Sequence, residues 1–98
     1  MGAPDGGDSG IVRRTTTIVN KRGLHARASA KFVQTVERFN AEVWVTRGSE
    51  TVGGTSIMGL MMLAAAAGAE LQISAAGPEA DLAVETLARL VECKFDED

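Results

Sequence analysis

The sequence has few of the residues that build disulfides, metal sites and aromatic clusters. Its 98 residues include one cysteine, one histidine, one tryptophan and no tyrosine. A single thiol, Cys93, excludes an internal disulfide bond and is typical of a reducing compartment; we expect it to be buried or half-buried. There is no Cys/His ligand set and no Walker loop. We therefore predict neither a metal nor a cofactor.

Long hydrophobic runs are also missing. The N-terminus has no apolar run after a basic segment, so no secretory signal peptide is expected. The longest apolar-rich stretch, residues 57–69, contains glycines and is too short to span a bilayer. The formal net charge of −3 argues against a general nucleic-acid binder, which needs a basic surface. We expect a cytoplasmic protein that binds neither nucleic acid nor a membrane.

The composition of the chain is that of one globular domain. Hydrophobic residues make up 45% of the chain, which is enough for a core. Residues 1–10 carry no large apolar side chain beyond Met1 and are predicted to form a flexible N-terminal tail. The domain is therefore expected to span residues 11–98.

Apolar and polar residues follow patterns that predict four strands and three helices. Alternation predicts strands at residues 13–19, 41–46, 50–52 and 69–75. Helical spacing predicts helices at residues 26–39 and 57–66, and a third that Gly77-Pro78 opens. The order βαββαβα, with strands that have one apolar face, favours an α+β fold: an antiparallel sheet with helices on one side and water on the other. Trp44 is expected to be exposed on the open face.

His25, the only histidine, lies where a loop becomes a helix. The start of a helix has unpaired N–H groups and the positive pole of the helix dipole, and both favour an anion. Three cations are close in sequence: Lys21, Arg22 and Arg27. Because they disfavour a further positive charge, we expect a neutral, nucleophilic imidazole with phosphate as the natural anion. Taken alone, however, a single histidine at a turn is more often structural.

A second loop-to-helix junction lies at residues 53–56, with Thr55 or Ser56 as the predicted N-cap. The helix after it is apolar on almost every side, so part of its surface must be exposed or covered by a partner. We expect Leu60 and Leu63 to point into the core. Three other side chains are expected to be at least partly exposed: Ile57, Met58 and Met61.

Two motifs together resemble the HPr family, the histidine-containing phosphocarrier proteins of the bacterial phosphoenolpyruvate-dependent phosphotransferase system. They are Gly23-Leu24-His25-Ala26-Arg27 and Ser56-Ile57-Met58-Gly59. Their separation and the order of strands and helices also agree, and the resemblance runs from residue 11 to residue 95. It implies an open-faced β-sandwich, in which three helices cover one face of a four-stranded antiparallel sheet, and a carrier protein rather than an enzyme.

The resemblance also implies roles for particular residues. His25 would accept a phosphoryl group from enzyme I through Nδ1 and pass it to enzyme IIA domains. Arg27 matches the arginine that contacts the phosphate, and the backbone of Ala26 and Arg27 would bind it. Ser56 matches the serine that HPr kinase/phosphorylase modifies in some bacteria, although it is most simply an N-cap. The family has an exposed apolar patch that contacts partner proteins, and its positions correspond here to Ile57, Met58 and Met61. The protein is expected to be a monomer.

Two positions depart from the family pattern, and three functions stay open. Ala28 stands where proline is usual, which leaves the helix start looser, and Thr55 stands where a lysine often precedes the serine. The chain is interpreted as a phosphoryl carrier for sugar uptake or for a nitrogen-related branch without transport. The first alternative is a regulatory interaction module of the same fold. The second is an RNA-binding domain, which the acidic charge and the lack of exposed aromatic pairs oppose.

Overall fold

In the computed structural model, which describes residues 10–97, four strands form one antiparallel sheet. The strands are β1 (Ile11–Thr17), β2 (Glu42–Arg47), β3 (Glu50–Gly53) and β4 (Glu70–Ala76), in the spatial order β1-β4-β2-β3. The helices are α1 (Ala26–Val36), α2 (Ile57–Met62) and α3 (Ala80–Glu92), and a short turn at Lys94–Asp96 follows. The predicted α+β class, element order and open-faced sandwich are confirmed. The predicted N-terminal tail, residues 1–10, lies outside the described residues except for Gly10.

The core lies between the sheet and the helices, and β4 is at its centre. Leu71 and Ile73 of β4 are no more than 1% exposed and point inward, as predicted. β1 begins at Ile11, two residues before the predicted start, because its pairing with β4 continues to Ala76. The helices contribute large, fully buried side chains, including Phe32, Leu60 and Leu87. Burying each such side chain stabilises the fold by about 1.5–3 kcal/mol.

Two predicted helix boundaries are wrong because hydrogen bonds at the helix ends take a different pattern. α1 ends at Val36 rather than at residue 39, since the next turn is closed by bonds to carbonyls three residues back. α3 begins at Ala80 rather than at Pro78. The backbone amide of Glu79 donates to the backbone carbonyl of Asn40 (3.1 Å). The side-chain carboxylate of Glu79 accepts from the backbone amide of Asn40 (2.7 Å). These bonds hold the residues before Ala80 in a loop.

The end of α2 is also shorter than predicted, and here a tertiary contact decides it. The helix stops at Met62 rather than at residue 66, and Ala64 has φ +52°, a conformation that L residues rarely adopt. The carbonyl of Ala65 then accepts a hydrogen bond from the Leu24 amide at 2.9 Å. The contact overrides the high helix propensity of alanine, and it ties the end of α2 to the loop before α1.

Two side chains differ in exposure from the prediction. Cys93 is exposed rather than buried, because it lies just past α3 and Phe95 fills the core instead. Trp44 is half-buried rather than exposed, since it lies on a strand between two others and opposite Ser74. Among residues 10–97, no helix has both the length and the apolar composition needed to cross a membrane.

Candidate functional site

The loop that carries His25 is shaped by a glycine. Gly23 has φ +66°, and its amide donates to the Asn20 carbonyl at 3.2 Å. A Cβ atom at Gly23 would lie 2.3 Å from the Ala65 carbonyl oxygen, which is far closer than atoms can pack. That same oxygen accepts from the Leu24 amide. The loop therefore packs directly on the segment after α2, and this contact sets the position of His25.

His25 is the N-cap residue of α1, as the sequence predicts. Its backbone is extended (φ −78°, ψ −178°), and its carbonyl accepts from the Ser29 amide at 2.8 Å. The helix thus begins regularly although Ala28 replaces the usual proline. The imidazole makes no capping bond, and the side chain is 22% exposed. The amides of Ala26 and Arg27, in the first turn, have no acceptor within the helix and can bind an anion.

A carboxylate lies against the imidazole, in addition to the three cations that are close in sequence. Glu97 Oε2 is 3.0 Å and Oε1 is 3.2 Å from His25 Nε2. The Nδ2 atom of Asn20 donates to Glu97 Oε1 (2.5 Å) and to the Gly23 carbonyl (2.9 Å). Asn20 is only 1% exposed. The imidazole, the carboxylate and a buried amide therefore form one hydrogen-bonded group.

The sequence did not lead us to the other two members of this group, Glu97, which bonds to His25, and Asn20, which bonds to Glu97. Asn20 precedes a turn and glycine, which is typical of an asparagine that bonds to its own loop, and this signal could have found it. Glu97 is one of several acidic residues at the end of the sequence and is 72 positions from His25. No spacing rule links residues so far apart, so only the folded chain reveals the contact.

The pairing determines which nitrogen of His25 carries a proton. The hydrogen bond from His25 is the main cause that lowers the pKa of Glu97 below its ordinary value of 4.5; burial opposes it, and Asn20 and the charge of Arg22 assist it. Glu97 is therefore ionised at neutral pH and can only accept hydrogen bonds. Nε2 is the donor, so in the neutral imidazole Nδ1 carries the free lone pair. Whether the ring is neutral at physiological pH stays a prediction.

The cations near His25 border the carboxylate. A surface depression of about 270 Å³ lies beside it, lined by Lys21, Arg22, Arg27 and Glu97. Arg27 is exposed, and within residues 10–97 its side chain has no hydrogen bond or ion pair, so its guanidinium can reach an anion. The structure brings His25 and Arg27 to the same end of α1 without a contact between them. In the same part of the chain, no three His, Cys, Asp or Glu side chains are grouped to bind a metal ion.

Ser56, one of the two residues predicted as N-cap, is the N-cap of α2. Its Oγ accepts a hydrogen bond from the Gly59 amide at 2.9 Å, and the residue is exposed. Leu60 (0% exposed) and Leu63 (3%) point into the core, which also agrees with the prediction.

The opposite side of α2 forms an exposed apolar surface, called here the α2 patch. Its members are Ile57 (40% exposed), Met58 (70%), Met61 (39%) and Met62 (75%). The first three were predicted to be exposed, and Met62 was not singled out. His25 lines a shallow depression of about 220 Å³ together with the segment that follows α2, residues 64–66. The α2 patch and the histidine are thus linked through one short segment.

Comparison with known proteins agrees with this geometry. The family model described as "PTS HPr component phosphorylation site" matches residues 12–93. The chain belongs to the HPr family of phosphocarrier proteins. It is 46% identical over 87 residues to phosphocarrier protein HPr of Neisseria meningitidis serogroup A, with 89% of this chain and 98% of that protein covered. It is 37% identical over 86 residues to phosphocarrier protein NPr of Shewanella violacea, with 88% and 94% covered.

A solved structure shows that the fold is also that of the family. HPr-C-His from Thermoanaerobacter tengcongensis superposes with a TM-score of 0.84 at 40% identity, and the match covers 89% of this chain and 98% of that one. By sequence and by fold, the chain therefore belongs to a family of phosphocarrier proteins of the phosphotransferase system.

Proposed function

We propose that His25 accepts a phosphoryl group on Nδ1 from phosphorylated enzyme I and passes it to an enzyme IIA domain. One observation carries this proposal: the imidazole lies at the start of α1, partly exposed, with Nε2 bonded to Glu97. That arrangement leaves Nδ1 as the nucleophile. A family model named for a phosphorylation site spans the same residues.

The surroundings of His25 suit a group that must both arrive and leave. Amides of Ala26 and Arg27 can bind the phosphoryl oxygens, and the exposed Arg27 guanidinium can add one positive charge. Phosphoryl transfer depends mainly on positioning and charge stabilisation, and the partner proteins supply part of both. A deep cationic cage would trap the group, whereas this open surface does not.

The α2 patch is the proposed docking surface for enzyme I and for enzyme IIA domains. It contains large apolar side chains that remain 39–75% exposed, and contiguous exposed apolar surface of this kind marks protein interaction sites. The Leu24–Ala65 hydrogen bond joins the segment after α2 to the His25 loop, which supports docking next to the transferred group. We propose that the protein works as a monomer in these complexes.

Ser56 is a proposed site of regulatory phosphorylation by HPr kinase/phosphorylase. Its hydroxyl is exposed, and it directly precedes Ile57 of the α2 patch. A phosphate there would place about two negative charges beside an apolar docking surface and weaken docking. Thr55, in place of a frequent lysine, makes recognition by such a kinase less favourable.

A second candidate function is a regulatory protein-interaction module of the same fold, including a nitrogen-related branch that transports nothing. One relative is named phosphocarrier protein NPr rather than HPr, so we keep a branch other than sugar uptake as a candidate. The two functions differ in the acceptor, since the carrier of a sugar branch passes its group to a sugar-specific IIA domain. RNA binding is not proposed, because the net charge is −3 and RNA recognition needs basic and aromatic surface.

Transfer of labelled phosphoryl groups tests the carrier function. Phosphoenolpyruvate, enzyme I and an isolated IIA domain are combined with this protein or with its His25→Ala variant. We expect label on the IIA domain only when the unmodified protein is present. Label on the IIA domain in the presence of His25→Ala would contradict the proposal, as would no label in any mixture that contains active enzyme I and folded protein.

A further inference from the structure

The chain reaches Glu97 through an unusual left-handed turn. Lys94, Phe95 and Asp96 have φ values of +60°, +54° and +62°, and none of them is glycine. L residues rarely adopt this conformation, and three in succession are rarer still. Such backbone strain persists only where surrounding contacts impose it, and it is concentrated at functional sites. Specific contacts must therefore hold this turn in place.

Contacts with the core and with α1 impose the turn. Phe95 is 3% exposed and belongs to the hydrophobic core. Lys31 of α1 donates to the Phe95 carbonyl at 3.3 Å and lies 3.5 Å from the Asp96 carboxylate. The Glu97 amide closes the turn on the Lys94 carbonyl at 3.0 Å. Glu97 is thus held by a packed segment and is not at the end of a loose tail.

The other side of Glu97 is held by the loop that carries His25. The buried side-chain amide of Asn20 donates to the Glu97 carboxylate and to the backbone carbonyl of Gly23 at the same time. It therefore fixes the carboxylate relative to the backbone two residues before His25. Both the turn and the loop hold the carboxylate at Nε2.

We propose that Glu97 is a positioning residue for His25, a role that rests on the proposed function of that histidine. Its carboxylate accepts the Nε2 proton and holds the ring in the tautomer and orientation that present the Nδ1 lone pair. Carboxylates that bond to the far nitrogen of a histidine have this effect on its tautomer and basicity in many sites.

The pairing also helps the transfer step itself. In phosphorylation of His25, the Nδ1 lone pair forms the bond to phosphorus, and the bond from phosphorus to the donor breaks with its electron pair left on the donor. Nε2 keeps its proton, so the ring gains a formal positive charge that the Glu97 carboxylate offsets. In onward transfer the ring leaves as a neutral imidazole, because Nε2 is still protonated.

Repulsion between the carboxylate and the incoming phosphoryl group is reduced by nearby cations. Lys21, Arg22 and Arg27 line the same depression as Glu97. Lys31 of α1 faces the turn from the other side and pairs with Asp96, a residue of the turn. The negative charge of Glu97 thus acts on the ring nitrogen, while the nearby cations screen it from the phosphate.

Nitrogen NMR of the imidazole in the unphosphorylated protein tests the pairing without any partner protein. Three variants are compared with the unmodified chain: Glu97→Ala, Glu97→Gln and the control Glu85→Ala, which removes an exposed carboxylate of α3 that pairs with Arg14. We expect a slowly exchanging proton on Nε2 in the unmodified protein and in the control. Glu97→Ala should speed that exchange and spread the proton over both nitrogens, and Glu97→Gln should lie between because its amide oxygen still accepts.

Rates of phosphorylation by enzyme I then test the role. We expect Glu97→Ala to be about fivefold slower, the effect of one hydrogen bond. Glu97→Gln should recover part of the rate, and Glu85→Ala should leave it unchanged. Unaltered proton exchange or an unaltered or faster rate in Glu97→Ala would overturn the positioning role. If the proposed function itself fails, the unmodified protein takes no phosphoryl group at all, although its Nε2 signal still depends on Glu97.

Discussion

Glu97 Oε2 lies 3.0 Å from His25 Nε2, although the two residues are 72 positions apart in the chain. Glu97 also lies beyond residues 12–93, the stretch that matches the family model. The C-terminal turn of this chain is therefore part of the surroundings of the histidine, in addition to the loop and helix that the family motif defines.

The His25–Glu97 bond predicts a change in acidity that can be measured directly. Replacing His25 with alanine should raise the pKa of Glu97 toward 4.5, because the hydrogen bond from His25 is the main cause that lowers it. Carbon NMR of the side-chain carboxyl, followed across a pH titration, measures this pKa. Glu85, which pairs with Arg14 far from the site, serves as the control. An unchanged Glu97 titration in His25→Ala would contradict the prediction.

The same pKa gives a pH dependence of stability. Since the pKa of Glu97 is lower in the folded state than in the unfolded chain, folding favours the ionised form. Its contribution is fully present above pH 4.5 and is lost as the pH falls through the folded-state pKa. Glu97→Gln should therefore have a slightly lower melting temperature than the unmodified protein at neutral pH. The two melting temperatures should converge well below pH 4.5, and a constant difference would contradict this.

Gly23 should be the less replaceable of two glycines with similar backbone conformations. Gly48 has φ +60° with no atom within 4 Å of an added Cβ, whereas at Gly23 (φ +66°) that Cβ would meet the Ala65 carbonyl. Gly48→Ala should cost about 1 kcal/mol for the left-handed conformation alone. Gly23→Ala should cost about 3 kcal/mol or more, since the clash also breaks the Leu24–Ala65 bond. Urea unfolding measures both, and equal losses would show that the loop does not depend on this packing.

Much of the fold was predictable because it follows from local patterns. Alternation identified the four strands, and the inward positions of Leu71 and Ile73 were predicted correctly. The end of α2 and the start of α3 were not, since they depend on distant partners: Ala65 bonds to Leu24, and Glu79 bonds to Asn40. In the site, the place of His25 at the start of α1 was predictable from its motif. Glu97 was not, because a left-handed turn places it there.

Ser56 should contribute to stability as an N-cap whether or not it is ever phosphorylated. Ser56→Ala removes the acceptor of the Gly59 amide and should cost about 1 kcal/mol. Ser56→Asp keeps an acceptor, so it should cost less while placing a charge beside the α2 patch and weakening binding to enzyme I. Thr55→Ala, at an exposed neighbour that is not the N-cap, is the control. Calorimetry of binding that shows equal affinity for Ser56→Asp would count against the proposed regulation.

Arg27 should matter for transfer and not for folding. It is exposed, so Arg27→Ala should change the free energy of unfolding by less than about 0.5 kcal/mol. Loss of a charged hydrogen bond to the phosphoryl group should slow transfer about tenfold or more. Arg38→Ala, at an exposed arginine just past the other end of α1, should leave the rate unchanged. Unaltered kinetics in Arg27→Ala would remove Arg27 from the site.

Phosphorus NMR of the protein after incubation with phosphoenolpyruvate and enzyme I tests most directly whether His25 is the acceptor. We predict one acid-labile signal of a phosphoryl group on Nδ1 of a histidine, which is absent from a folded His25→Ala control. A signal that persists in the control would contradict this, because His25 is the only histidine in the chain. So would the lack of any signal from folded protein in the presence of active enzyme I.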